Sequence, residues 1–433
     1  MRRFKSVVFS DLSSSFIVQL LASATQTNNL ACKVMSNSVT KKVKVTDDVQ
    51  KDMLSDLPDC IILHILSFLR TKHAIRTGIL SSRWKHLWKR LPALILWRSD
   101  FQCYNIFIEF MRKVLSLRDS SVSLHTLDFE DISHLLEPHI LEWIVNYAIS
   151  HNVQRLQFSI TSVVEQIPLT LLSSQTLTHL NLSVCYECKS LFPKSLNLPA
   201  LSTLELGNFT FYKDSEPFST FSRLKSLLIS DCNVEGAGTL CISSATLVNF
   251  TMHVESDLDN YYKIDLCTPS LSTFAFRGYP YQDISGSNIS SLKHVDIDAG
   301  VFPYRLDGPP LFLFNWLPEF ANIKSLTVTA STLQALSLVP ELLEFKIPFM
   351  CKLKFLKVKI EEIEYELRMM LRDVKLLNVE SKKEAARIQE AFNLGLEPSP
   401  LVPDEIVDFL LQNSPSAKVD LVDCRQKPLR RRL

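Results

Sequence analysis

Leu177-Thr-His-Leu-Asn-Leu-Ser-Val-Cys185, Leu201-Ser-Thr-Leu-Glu-Leu-Gly207 and Leu224-Lys-Ser-Leu-Leu-Ile-Ser-Asp-Cys232 repeat one pattern: apolar residues at the first, fourth and sixth positions. The same form starts again at Leu124, Val153, Leu247, Leu271, Leu292, Ile323 and Leu353. From Val153 to Leu292 the starts lie 21 to 24 residues apart, and 29 to 31 apart at either end. Alternation puts the fourth and sixth residues on one side of a strand. A period of that length then forces the chain to turn, cross and return beside a parallel copy of itself.

The middle intervals match the period of leucine-rich repeats, and Cys185 and Cys232 occupy the Asn/Cys position three residues past the last apolar one. The fold class expected is therefore α/β: a curved solenoid with a parallel sheet over residues 98–360. Residues at offsets two, four and six from each start should face outward. Among them are His179, Asn181, Thr203, Glu205, Asn249, Thr251, Arg277, His294 and Asp296. This outward set is small, polar and almost uncharged, so it lacks the Lys/Arg cluster that would hold a phosphate-rich cofactor. Its nine members are the expected contacts for a protein target. The histidines carry no partner at fixed spacing and read as ordinary surface residues.

Toward the C-terminus, residues 361–433 read as an α/β cap and a basic tail. Ser381 can cap a helix through Leu394 that ends at Gly395. Past Pro398, Pro400 and Pro403, the stretch Asp404 to Leu411 reads as a helix and Lys418 to Val422 as a closing strand. A solenoid end exposes an unpaired edge and a slice of core, so some cap is required. Arg430, Arg431 and Arg432 read as solvated. In the longer outer units there is room for helices, such as Pro138 to Ser150.

Toward the N-terminus, residues 51–97 form a helical module. Asp56 is a candidate N-cap with Pro58 in the first turn, and Ile62, Ile65, Leu66 and Leu69 follow at helical spacing. Thr71 can cap a second helix that Gly78 ends. Ser81 or Ser82 can cap a third, carrying Trp84, Leu87, Trp88 and Leu91. So small a module cannot cover this much Leu, Ile and Trp unaided, so part of it should meet another chain. Seven Lys or Arg and no acid between Arg70 and Arg90 favour an acidic partner.

Residues 1–50 read as a disordered extension. Arg2, Arg3, Lys5 and Lys33 against the single acid Asp11 resemble an organelle transit segment, and Ala22-Ser23-Ala24 a signal cleavage site. A working start at Met35 is the preferred alternative. Lys41, Lys42 and Lys44 could serve nuclear import, though such clusters are usually solvated tail.

Composition closes other routes. Of 433 residues 46% are apolar and 21% charged, which is the profile of a folded chain. The net charge of +1 gives nucleic acid or an anionic membrane no general attraction. Only nine glycines leave little material for phosphate-cradling loops. The ten cysteines are scattered, as reduced thiols are, and Cys185 with Cys188 lacks the second ligand pair of a zinc site. No apolar run reaches the length of a membrane span. We find no catalytic motif, so no catalytic residue, metal or cofactor is expected.

Leu57-Pro58-Asp59, Ile65-Leu66-Ser67-Phe68-Leu69, Thr71-Lys72, Leu80-Ser81 and Arg83-Trp84 together resemble a plant-type F-box. The repeats, and Phe409-Leu-Leu-Gln-Asn-Ser-Pro, resemble plant F-box/leucine-rich-repeat proteins with an FBD-like C-terminal region. The resemblance implies a three-helix F-box that binds the Skp-type adaptor of a cullin-RING ubiquitin ligase through Leu57, Pro58, Ile65, Leu66, Leu80 and Trp84. It also implies a nuclear or cytoplasmic setting and a protein substrate held on the repeats for ubiquitination. Four departures stand out: Arg70 where the family usually has Pro, His73 for an acid, Gly78 for Ser, and Ser82 for Lys or Arg. Arg70 and Gly78 motivate the alternative of a repeat scaffold whose F-box does not engage a ligase.

Overall fold

A computed structural model describes residues 57–133, 135–161, 174–185, 190–194, 196–255, 261–301, 309–339, 342–345, 350–395 and 401–425. The readings made for Asp56, Cys188, Pro398, Pro400, the extension 1–50 and Arg430 to Arg432 lie outside them. The chain divides into two compact units. The first runs to Leu135 and includes Ser150–Gln154; the second comprises Leu136–Ile149 and Arg155–Leu433.

The first unit opens with helix α1 (Asp59–Leu66), which starts one residue past the proline. Pro58 is its N-cap, and the Pro58 carbonyl accepts the N–H groups of Ile61 and Ile62 at 3.0 and 3.1 Å. Helices α2 (Thr71–Arg76) and α3 (Trp84–Leu87) follow. Thr71 is not a cap. It lies inside α2, buried, and its Oγ1 accepts the Ile95 N–H at 2.8 Å, which ties the helix to strand β1 (Ala93–Trp97). Helix α4 (Tyr104–Leu117) and strand β2 (Thr126–Asp131) complete the unit. β2 runs parallel to β1, with Leu94 beside Leu127 and Leu96 beside Phe129. Phe107 of α4 stacks on Phe129 with ring centroids 5.9 Å apart. Leu91, Leu94 and Leu96 are all buried and have the spacing of the repeat. The array thus begins one coil before Leu124, overlapping the end of the helical module.

The second unit opens with α5 (Pro138–Ser150), with Ile140, Leu141, Ile144, Val145 and Ala148 inward. Strands β3 (Arg155–Ile160), β4 (His179–Ser183) and β5 (Thr203–Gly207) follow. Next come the two-residue β6 (Thr210–Phe211), β7 (Ser226–Ser230), the two-residue β8 (Asn233–Val234) and β9 (Thr239–Ser243). Beyond them lie β10 (Asn249–Val254), β11 (Lys263–Cys267), β12 (Thr273–Gly278), β13 (Asp283–Asn288) and β14 (His294–Ala299). After α6 (Pro309–Trp316), β15 (Ser325–Thr329), α7 (Ala330–Leu336) and β16 (Phe355–Ile360), the chain forms α8 (Tyr365–Leu377), α9 (Lys382–Asn393), α10 (Asp404–Leu411) and β17 (Lys418–Asp423).

One parallel sheet runs β3-β4-β5-β7-β10-β12-β14-β15-β16-β17 within this unit. Every repeat start from Val153 to Leu353 lies two residues before one of these strands, and the starts themselves are buried. In register the inward rows are continuous: Leu180, Leu204, Leu227, Phe250, Phe274, Val295, Leu326 and Leu356 are each at most 2% exposed. Each such side chain contributes about 1.5 to 3 kcal/mol by leaving water, and no coil can bury its share without its neighbours. Behind the sheet lie a second parallel set, β9-β11-β13, and the pair β6-β8, the latter too short to announce itself by alternation.

Aromatic side chains fill the interior. Phe192, Phe209, Phe211 and Phe218 form one cluster, and Phe250, Phe274, Phe276, Trp316 and Phe320 another. The Trp316 indole, fully buried, donates to the Gln282 carbonyl at 2.9 Å. The chain leaves several strands through a left-handed residue at the same position of the coil: Asn208, Asp231 and Gly278. Only at Gly278 is glycine obligatory, since a Cβ there would sit 2.0 Å from the Val254 carbonyl oxygen.

The closing strand forms as expected and pairs with β16 in parallel, yet it does not seal the end. Val419 and Leu421 continue the inward rows of Leu356 and Val358, but remain 38% and 56% exposed among the described residues. Helix α10 buries Ile406, Phe409 and Leu410, whereas α9 buries none of its residues.

Candidate interaction surfaces

The helical module separates the six residues singled out for adaptor contact. Leu66 is fully buried and Trp84 is 3% exposed; together with Ile62, Leu87, Trp88 and Leu91 they are core. Their part in any contact is to hold the helices in place. Pro58 is exposed, and Leu57, Ile65 and Leu80 are half-buried. The six leave out two large exposed apolar side chains, Phe68 at 47% and Ile79 at 53% exposed. Both sit at the ends of short helices, where 3.6-residue periodicity no longer decides which way a side chain points. Phe68 also packs edge-on against His64, with centroids 4.9 Å apart.

The basic run is less free than its composition suggests. Arg70 Nη1 pairs with Asp100 Oδ1 at 2.7 Å and its guanidinium lies 4.0 Å from the Trp97 ring centre. Lys72 reaches the Asp100 carbonyl and covers the Phe101 ring. His73 stands 3.8 Å from the same carboxylate, yet burial and then the surrounding cations hold its pKa below the ordinary histidine value. Arg83 and Arg90 share Asp59 at 2.6 and 3.7 Å. Arg76 and Lys85 remain exposed and form no ion pair among the described residues. The departure at Arg70 therefore lies half-buried and clasps the helices to β1. Gly78 lets the chain approach α3: a Cβ there would meet Lys85 Cα at 3.0 Å.

The nine residues expected on the sheet surface do share one face. His179, Thr203, Ser226, Asn249, Thr273 and His294 are register partners in one row, and Asn181, Glu205, Leu228, Thr251, Ala275 and Asp296 in the next. Asn181 Nδ2 donates to Glu205 Oε2 across the strands at 2.7 Å. Arg277 lies beside Asp298 in the third row, with Nε 3.7 Å from Oδ2. Followed through to β16 and β17, this face is not uncharged. It gains Lys357, Lys359, Lys418 and Asp420, and Lys359 Nζ reaches back across β15 to Asp296 at 2.9 Å. Glu361 and Glu364 follow β16; burial first, and then neighbouring carboxylates that include Asp298, raise both above the ordinary range.

Among the described residues no group of His, Cys, Asp and Glu is arranged to hold a metal ion, and no helix is long and apolar enough to cross a membrane. Cys185 and Cys232 are buried inside the repeats.

Comparison with known proteins adds the name of the module. The F-box domain family model matches residues 54–96. An F-box protein of Arabidopsis thaliana is 26% identical over 66% of this chain and 72% of its own length. F-box/LRR-repeat protein 13 of the same plant is 26% identical over 68% and 69%. An FBD-associated F-box protein, also from Arabidopsis thaliana, is 25% identical over 89% of this chain and 93% of its own. The helices packed around Leu66 and Trp84 are thus those of an F-box domain, carried by a chain that is similar along most of its length to plant F-box/FBD/LRR-repeat proteins.

Proposed function

We propose that the protein is the substrate-recognition subunit of a Skp-cullin-F-box ubiquitin ligase. In this reading the F-box docks the Skp-type adaptor, and through it the cullin and RING subunits, while the outward face of the repeat sheet holds a protein for ubiquitination and proteasomal degradation. The protein contributes proximity and orientation rather than bond chemistry, and it works in the nucleus or cytoplasm.

One observation carries the reading. A module of about forty residues has completed its own core around Leu66 and Trp84, and it still leaves Pro58, Phe68 and Ile79 in contact with water. Apolar side chains left over after a core is filled mark a surface that another chain covers. The relatives' names, which place F-box and LRR together, support the same division of labour. Arg70 and Gly78, the motives for a scaffold that does not dock, both answer to internal packing.

Ile79→Glu combined with Pro58→Ala in the full chain should abolish co-purification with a Skp-type adaptor and leave the melting temperature unchanged. Stoichiometric adaptor recovered with the double variant would reject the docking surface.

A further inference from the structure

Lysines recur at the starts of the last strands of the second unit. Lys293, Lys324 and Lys354 each occupy the residue just before β14, β15 and β16 and are joined through their backbones. The Lys324 N–H donates to the Lys293 carbonyl at 2.8 Å and the Lys354 N–H to the Lys324 carbonyl at 2.8 Å. The Lys418 N–H donates to the Lys354 carbonyl at 2.8 Å, but Lys418 is the first residue of β17 and stands in register with Phe355, one position further on. All four side chains are exposed, and among the described residues none forms an ion pair. The segments leading into these strands, 290–293, 321–324, 351–354 and 415–418, contain no Asp or Glu. At the far ends of β14, β16 and β17 acids are grouped, Asp298, Glu361, Glu362, Glu364 and Asp423, beside Lys359 and Arg425.

Parallel neighbours lie about 4.8 Å apart, so these exposed lysines crowd like charge at one edge of the sheet and repel where their side chains approach. An isolated surface lysine needs no explanation; a ladder of them across consecutive strands fits an anionic guest lying across the strand starts. Phe355 follows Lys354 directly and is 54% exposed, which gives that guest an apolar contact. A nucleic acid fits less well. The chain as a whole carries only +1, and the carboxylates one strand length away, roughly 15 to 20 Å, oppose a longer phosphate backbone.

We infer that the edge of the sheet at the starts of β14 to β17 is a binding site for an acidic protein segment, rich in Asp or Glu and bearing an apolar residue, with Lys293, Lys324, Lys354 and Lys418 as its cationic contacts. The inference deepens the reading of the sheet as a target surface and rests on it for the identity of the guest as protein.

The test uses the full chain and a fluorescein-labelled poly-glutamate peptide with one Phe, followed by anisotropy. Lys324→Glu with Lys354→Glu should weaken binding about tenfold or more, and added salt should weaken the wild type. Lys225→Glu, an exposed lysine at the same position before β7 but away from the ladder, should change affinity less than about twofold, since a lone exposed charge at that distance is screened. Unchanged peptide affinity in the double variant, or tighter binding of a single-stranded RNA oligonucleotide of equal charge, overturns the inference. The assay needs neither ligase nor target. A failed ladder therefore leaves adaptor docking untouched, and adaptor binding lost through Ile79→Glu leaves the peptide result standing.

Discussion

The helical head and the repeat sheet both present apolar residues at regular spacing, but only in the sheet does spacing say which residues are inside. In β7, Leu227 and Leu228 are adjacent and chemically identical; the first is fully buried and the second half-exposed. A strand sends alternate side chains to opposite faces, so one registered neighbour fixes the whole row. In the head, α1 spans eight residues, α2 six and α3 four. Over two turns or fewer, a stripe and a full circumference look alike. Family likeness picked out Leu57, Pro58, Ile65, Leu66, Leu80 and Trp84 together, and burial divides them.

That contrast is open to direct attack by truncation. Leu66→Ala and Trp84→Ala should each destabilise the first unit by about 3 to 5 kcal/mol, the usual cost of emptying a filled core site. Leu227→Ala should cost about as much in the second unit, while Leu228→Ala should stay within about 1 kcal/mol. Urea denaturation followed by tryptophan fluorescence measures the first pair in a background carrying Trp143→Phe and Trp316→Phe in the second unit, so that Trp88 and Trp97 report on the first unit in both variants, and circular dichroism measures the second. A Trp84→Ala protein of unaltered stability that has lost its adaptor would return Trp84 to the interface and undo the division drawn here.

A smaller effect tests the head's junction with its first strands. Asp128, on β2, has its carboxyl pushed up to about 6, first by burial and then by Glu130, with the Trp97 indole and Arg70 opposing. A carboxyl whose folded pKa exceeds its unfolded value stabilises the fold only while protonated. Its contribution is complete below about pH 4 and is lost as pH rises through about 6. At neutral pH the charged form costs at most about 3 kcal/mol. Asp128→Asn should therefore raise the midpoint of unfolding at pH 7.5 and leave it almost unchanged at pH 4. Equal effects at both pH values would show that the carboxyl is not held protonated by its surroundings.

What could be read in the residues follows the same physics. Each repeat start from Val153 to Leu353 precedes its strand by two residues, because a buried Leu ladder tolerates no slip of register. The first coil, Leu91-Leu94-Leu96, escaped because Pro92 and the basic run before it read as the end of a helix. The strands β9, β11 and β13 escaped because Ala237, Tyr261 and Tyr281 stand where each repeat start carries Leu, Ile or Val. Thr71 looked like a cap and instead serves Ile95, a partner twenty-four residues away that local sequence does not reveal. Lys293, Lys324 and Lys354 lay one position before the outward rows, outside the offsets that alternation selects, while Lys418 lay in the closing strand beyond the last repeat. The Asp100 clasp needed three dimensions, since Arg70 is thirty residues from its partner.

The least disruptive probe of the contrast is a thiol. Cys232 lies in the repeat's Asn/Cys position, 4% exposed, with Sγ 3.5 Å from the Ser230 carbonyl and 3.7 Å from that of Leu206. Burial, as the first cause, pushes its pKa up to about 12. Because the thiolate is the nucleophile, at pH 7.5 fewer than about one molecule in ten thousand carries the reactive form. Maleimide should label exposed Cys267 within minutes and Cys232 only as fast as the coil opens, a difference of at least about a thousandfold. Mass spectrometry of tryptic fragments reads both sites in one sample without any mutation. If Cys232 is labelled as quickly as Cys267, the inward rows open on the time scale of the reaction, and the sheet is no more decided about its inside than the head is.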